Sequence, residues 1–340
     1  MRVQQYPNVA VLMPTYNGSR YVDQQMISLK ANYVPFTLHW LDDHSTDNTR
    51  DVVRAAALRG SIPLVEWHRP DHYGAAGSFF QLLECVEADI YLFCDQDDIW
   101  QAGKIDATVQ NLTLDLDLPV LCSSDMWLFN ENEPADTRSL SRILGKGRIF
   151  SALQQPPVLL MFLHAMSSGQ TQGFTRPLRE IFLKHKNIAR EYALLHDCWM
   201  YDIAIASGEV RLFSNRPTAL HRIHNTNASY HFIAEGHNWI TRGWRQSQLW
   251  RQLFSRHAQG LILAAPTLPP GKKLDRLLEL ARSVAVVNRR QTARQLIRLA
   301  QAGAMPWFGC SNPSFWFSAA CFCSGAQNSV RTTVAPFFPT

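Results

Sequence analysis

The chain has 340 residues, of which 46% are hydrophobic and 18% charged, and it carries a formal net charge of +5. This composition excludes a disordered chain, and the length suits one large domain or two ordinary ones that need no disulfide staples. Seven cysteines, an odd number without a C-x-x-C pair, argue against a disulfide framework and a structural zinc site and fit a reducing compartment.

The first apolar run, Val9–Pro14, is too early and too short for a signal peptide and reads as a buried strand stopped by Pro14. Thr15-Tyr16-Asn17-Gly18 follows as a loop, and Tyr21 to Lys30 has helical spacing. Phe36–Leu41 is a second strand ending in Asp42-Asp43. Ser45-Thr46-Asp47-Asn48-Thr49 signals a helix start, continued by Arg50 to Leu58. Ile62–Glu66 is a third strand, and Gly74 to Glu84 a Gly-rich loop leading into a helix. A fourth strand, Ile90–Cys94, runs into Asp95-Gln96-Asp97-Asp98. Alternation at this spacing predicts a parallel sheet with helices on both faces.

Beyond Asp98 the pattern predicts a helix over 104–116, strands over 120–129, 168–174 and 210–213, and a helix over 193–207 opened by His196-Asp197. Residues 131–157 are polar and irregular, a candidate lid. From Trp239 onward the chain reads as basic amphipathic helices. Residues 237–340 hold 13 Lys and Arg against 2 Asp and Glu, whereas residues 1–236 hold 20 against 26. Such a basic end is either a solvated helical face or a docking surface for an anionic partner. No stretch reaches the ~18 apolar residues of a membrane helix, so the expected location is the cytosol.

In parallel α/β sheets ligands bind outside the carboxyl ends of the strands. Three strand ends here are polar: Thr15 and Asn17, Asp42 and Asp43, Asp95 and Asp97. P-loop and G-x-G-x-x-G fingerprints are missing. Three carboxylates within four residues repel unless they share a cation, so Asp95, Asp97 and Asp98 suggest a Mg2+ or Mn2+ site that also takes diphosphate oxygens. Asp98 alternatively caps a helix starting near Trp100. Of Asp42 and Asp43, one is expected to brace the Ser45–Asp47 turn and the other to accept from a nucleobase. Asp197, at a helix start, suits either an N-cap or a general base. His221 and His224 are expected just past another strand.

Taken in order, Val11-Leu12-Met13-Pro14-Thr15-Tyr16-Asn17-Gly18, Leu41 to Thr49 and Tyr91 to Trp100 resemble the nucleotide-binding segments of glycosyltransferase family 2. His196-Asp197-Cys198-Trp199 and Arg222-x-His224-Asn225-x-Asn227 are similar to its bacterial rhamnosyltransferase-like branch, which builds O-antigens and other surface polysaccharides. The resemblance covers residues 8–230. It implies a GT-A fold: a Rossmann-like nucleotide-binding part (1–130), an acceptor-binding part (131–235) and a basic helical region (236–340). It also implies inverting transfer from a nucleotide sugar. By the same resemblance Pro14, Thr15, Tyr16, Asn17, Asp42, Asp43, Asp95 and Gln96 face the donor, and Asp97 binds the metal, with His224 either completing its shell or holding the diphosphate. Asp197 deprotonates the acceptor. The implied partners are a donor such as dTDP-rhamnose, a lipid-linked oligosaccharide and an anionic membrane surface at its inner face, without nucleic acid. A non-catalytic scaffold and a nucleotidyltransferase are the competing readings. His44 departs from the family pattern, standing where a glycine is usual.

Overall fold

The computed structural model describes residues 6–129, 167–212, 217–224, 253 and 255–285. The first half alternates as expected: β1 (Val9–Thr15), α1 (Val22–Leu29), β2 (Thr37–Asp42), α2 (Thr49–Gly60), β3 (Leu64–Trp67), α3 (Gly74–Cys85) and β4 (Ile90–Phe93). Next come β5 (Ile99–Trp100), α4 (Lys104–Leu112), β6 (Val120–Ser123) and β7 (Met126–Phe129). The described chain resumes with β8 (Gln172–Thr175), α5 (Arg176–Lys184), α6 (Lys186–Tyr192), α7 (His196–Ser207), β9 (Glu209–Leu212) and β10 (Ala219–Arg222). Two further helices close it: α8 (255–264) and α9 (Lys272–Ala285).

Seven strands form one sheet in the order β3-β2-β1-β4-β8-β6-β9, and a smaller sheet has the order β5-β10-β7. The four N-terminal strands are parallel, while β8 is antiparallel to β4 and β6. β1 is buried along its whole length and feeds both faces. Val9, Val11 and Met13 pack with α1, α2 and α4, whereas Ala10 and Leu12 pack with α3 and α5–α9. Period-2 alternation in one central strand therefore builds two cores.

Pro14 does not stop β1. It pairs in register with Leu41 of β2. The Leu12 carbonyl accepts from Cys94 N, so even-numbered residues of β1 bond toward β4, whose last paired residue is Phe93. The missing N–H of Pro14 faces a side where the ladder has already ended, so it costs no bond. The expected strand over 120–129 is two strands, one in each sheet, broken at Ser124-Asp125. Helix α3 starts at Gly74 itself, with no preceding glycine loop.

Leu261, Ala264, Leu277 and Ala281 of α8 and α9 lie in the same core as Trp199, Met200 and Ile203 of α7. The apolar face of α9 is thus covered by the body, leaving Lys272, Lys273 and Arg276 exposed. Arg242, Arg245, Arg251, the tryptophans from Trp239 on and the expected lid over 131–157 lie outside the described residues. Among the described residues no helix is long and apolar enough to cross a membrane.

Candidate active site

The carboxyl ends of β1, β2 and β4 form one wall. Thr15 Oγ1 accepts from Trp40 Nε1 at 2.9 Å and donates to Asp42 Oδ1 at 3.0 Å. Asp42 also accepts Ser45 N at 3.0 Å, Ser45 Oγ at 2.6 Å and Arg50 Nε at 2.6 Å. Burial works against its charge, but these bonds outweigh it and hold the carboxyl below the usual range. Asp42 is therefore the brace of the turn. Asp43 is buried and accepts Tyr73 N at 3.0 Å and Gly74 N at 2.8 Å, so it anchors the first turn of α3. Gln96 grips the main chain of Tyr16 from both sides, with Oε1 accepting its N–H at 2.9 Å and Nε2 donating to its carbonyl at 3.0 Å. Asn17 is exposed at φ +44° and its Oδ1 accepts Thr46 N at 2.8 Å. His44 adopts φ +67°, the left-handed conformation that favours glycine.

Sequence reasoning missed His72 on this wall. Its Nδ1 lies 2.9 Å from the Asp43 carbonyl and 3.1 Å from its carboxylate, and its ring is 4.9 Å from that of Tyr16. Nothing in its local pattern distinguishes His72, which reaches the site only because α3 starts there.

Asp95, Asp97 and Asp98 diverge in role. Asp98 does not cap a helix: strand β5 follows it and α4 begins at Lys104. Instead it is fully buried, with Oδ1 3.0 Å from His221 Nδ1 and accepting Arg222 N at 3.0 Å. Burial disfavours a charge on His221, yet Asp98, with Asp97 and Asp95 behind it, lifts its pKa to about 9. This pair welds β10 to the acidic turn. His221 lies within β10, not past it. Three residues further, His224 Nε2 lies 2.9 Å from Asp97 Oδ2, both half-buried. The His224 ring stacks on Tyr21 at 4.8 Å, and the Arg222 guanidinium covers the same ring at 4.8 Å while donating from Nε to the Asp97 carbonyl at 2.8 Å. Asn225 and Asn227 lie outside the described residues.

Asp95 is pushed well above the usual carboxylate range by burial, then by Asp98 and Asp97, with a further contribution from Asp197. That last influence marks the second wall, the start of α7. Asp197 Oδ2 accepts Gly169 N and Oδ1 accepts Cys198 N, each at 2.8 Å. Gly169 permits this seat: a Cβ there would lie 2.8 Å from His196 Nε2 and 3.3 Å from Asp197 Cβ. His196 is buried against Phe79 at 3.8 Å and Phe93 at 4.7 Å, with neither ring nitrogen partnered, and burial lowers its pKa to about 4. It is a neutral core residue. Among the described residues no three His, Cys, Asp or Glu side chains converge as a complete metal shell. The arrangement thus offers two polar walls at the end of β4, where His196 packs on Phe93: an acidic edge with an imidazole, and one carboxylate with free lone pairs.

Residues 10–155 match the family described as Glycosyl transferase family 2. The dTDP-rhamnosyl transferase RfbG of Shigella flexneri is 26% identical over 227 residues, 63% of this chain and 72% of that protein. The UDP-Glc:alpha-D-GlcNAc-diphosphoundecaprenol beta-1,3-glucosyltransferase WfgD of Escherichia coli is 32% identical over 103 residues, 30% of this chain and 39% of that protein. Among solved structures, the mannosyltransferase PcManGT from Pyrobaculum calidifontis in complex with GDP-Man and Mn2+ is similar at a TM-score of 0.53 and 16% identity, covering 94% of this chain and 86% of that one. At that identity the likeness concerns the fold. The molecule has the GT-A fold, and its N-terminal part is a domain of glycosyltransferase family 2.

Proposed function

We propose that the protein is an inverting, metal-dependent glycosyltransferase of bacterial surface-polysaccharide synthesis. It moves rhamnose from dTDP-rhamnose to a hydroxyl of a lipid-linked oligosaccharide at the inner face of the cytoplasmic membrane. The observation that carries this reading is Asp97 against His224 beyond the end of β4, with Asp197 brought to the same strand end by the packing of His196 on Phe93. RfbG's name supports the donor and WfgD's the diphosphoundecaprenol-linked acceptor.

Thr15, Tyr16 and Asp43 hold the nucleoside. Pro14, Asn17, Asp42 and Gln96 frame them: Asp42 is tied to Ser45 and Arg50, and Gln96 to the Tyr16 main chain. Asp97 and His224 fit a Mg2+ or Mn2+ ion, because such an ion needs only one or two protein ligands when waters and diphosphate oxygens complete its shell. The crowding that raises Asp95 is the kind a divalent cation relieves. When bound, the ion stabilises the charge that develops on the leaving diphosphate.

Asp197 is the base. Each of its oxygens accepts one backbone N–H, which fixes the carboxylate and leaves a lone pair for the acceptor hydroxyl. As the hydroxyl oxygen bonds to the anomeric carbon, the bond from that carbon to the diphosphate oxygen breaks. The proton passes to Asp197 and the nucleoside diphosphate departs. Attack opposite the leaving group inverts the anomeric configuration, through an oxocarbenium-like transition state. Exposed Lys272, Lys273 and Arg276 face anionic lipid headgroups in this reading.

The test is nucleoside diphosphate release from a panel of nucleotide sugars, with Mn2+ and a lipid-linked oligosaccharide extract, beside an Asp97→Ala control. Release from dTDP-rhamnose alone, absent in the control, supports the reading. Release from a different donor replaces the sugar, and neither binding nor release from any donor turns the assignment toward a scaffold.

A further inference from the structure

Helix α8 shares a core with the helix that carries Asp197 and also reaches it through one buried polar side chain. His257, on α8, is completely buried. Its Nδ1 accepts Leu194 N–H at 2.9 Å, and its Nε2 lies 2.7 Å from Asp202 Oδ2. A ring nitrogen that accepts a backbone N–H carries no proton, so the hydrogen sits on Nε2 and is donated to Asp202. Leu194 lies just before Asp197 and Asp202 just after it, so the imidazole grips the chain on both sides of that carboxylate.

The surroundings are built for close approach. A Cβ on Gly260 would lie 2.4 Å from Tyr192 Cβ and 3.1 Å from the Trp199 ring, so α8 sits against the start of α7 as only a glycine allows. Trp199 meets the His257 ring edge-on, with centroids 5.3 Å apart. Leu195, the residue capping α7, has no side-chain bond to offer the first turn. Among the described residues Asp202 Oδ1 is buried without a partner, and His257 is the side chain that bonds this carboxylate.

We propose that His257 is a positioning residue for sugar transfer: its paired bonds to Leu194 and Asp202 set where Asp197 stands relative to the acidic edge of β4. The inference rests on the reading of Asp197 as the base. It makes α8 part of the catalytic unit and not a detachable basic appendage.

Variants of the full chain test it. His257→Asn keeps an acceptor for Leu194 N–H and loses the donor to Asp202, His257→Leu loses both, and Asp202→Asn keeps an acceptor for the imidazole N–H. Hydrogen exchange needs no substrate and comes first. Peptides over 192–200 are expected to exchange at least about tenfold faster in both His257 variants, with peptides over 8–16 unchanged. If His257→Leu does not fold, His257→Asn carries the comparison. In turnover of dTDP-rhamnose with Mn2+ and the lipid-linked extract, His257→Asn is expected to lower kcat by about tenfold or more at unchanged donor KM. Asp202→Asn is expected to keep most activity. Combined with Asp197→Asn, the His257→Asn loss should vanish, because misplacement cannot matter once the base is gone. Unchanged exchange at 192–200, or a loss that persists in the Asp197→Asn background, overturns the proposal. A fully active Asp197→Asn enzyme sinks instead the reading of Asp197 as base, and the exchange result still decides whether His257 holds α7.

Discussion

The two walls of the site are built in opposite ways. The wall proposed to hold the donor comes from the ends of β1, β2 and β4, within the first hundred residues. Its groups are tied by dense bonds: Asp42 accepts from Thr15, Ser45 and Arg50, and Gln96 clamps Tyr16 twice. The wall proposed to face the acceptor is Asp197, seated on Gly169, with His257 holding the chain on either side of it. A frame tied by many bonds suits recognition of a nucleotide. A base placed by remote contacts exposes catalysis to changes far from the chemistry.

The largest way to break this contrast is to remove one carboxylate from each wall. Asp197→Asn is expected to lower kcat by about 10²–10⁴ while nucleoside diphosphate binding with Mn2+ persists, whereas Asp97→Ala is expected to lose both. Steady-state kinetics beside calorimetric titration checks the pair. Next in size is the weld between the walls. Asp98→Ala leaves the buried His221 and the Arg222 N–H without their acceptor and is expected to cost about 3 kcal/mol in urea unfolding, with Asp98→Asn milder.

Two buried histidines should respond to pH with opposite signs. The folded state raises His221 to about 9, so its contribution is complete below about pH 6.5 and fades as pH rises through 9. Burial lowers His196 to about 4, so its contribution is complete above about pH 6.5 and is lost as pH falls toward 4. Melting temperatures of His221→Phe and His196→Phe against the native chain should show the alkaline slope removed in the first and the acid slope reduced in the second. Identical slopes in all three proteins would refute the assignment. The smallest effect belongs to the donor turn. His44→Gly relieves a left-handed residue at the cost of backbone entropy, so the stability change is expected within about 1 kcal/mol and donor binding is expected to hold.

What could be read beforehand follows the same division. The first four strands and the polar residues at their ends were legible because apolar runs and turn residues alternate locally. Pro14 misled because its effect depends on where β4 ends, a tertiary fact. Asp98 looked like a helix cap, yet its partners, His221 and Arg222, lie more than a hundred residues away. One of Asp42 and Asp43 was expected to brace the turn, and Asp42 does so. That Asp43 would anchor α3 was hidden, because the N–H groups it accepts belong to Tyr73 and Gly74. His257 carried no local signal: on a basic amphipathic helix it reads as one more polar residue, and only the fold brings it to Asp202.

The most direct test of the central claim, that one wall binds the donor while the other moves the proton, is a single paired measurement on Asp197→Asn. Its affinity for nucleoside diphosphate with Mn2+ and its transfer rate are determined in the same preparation. The account predicts native affinity with transfer at least about a hundredfold slower. Native transfer, or affinity lost in step with rate, would contradict it.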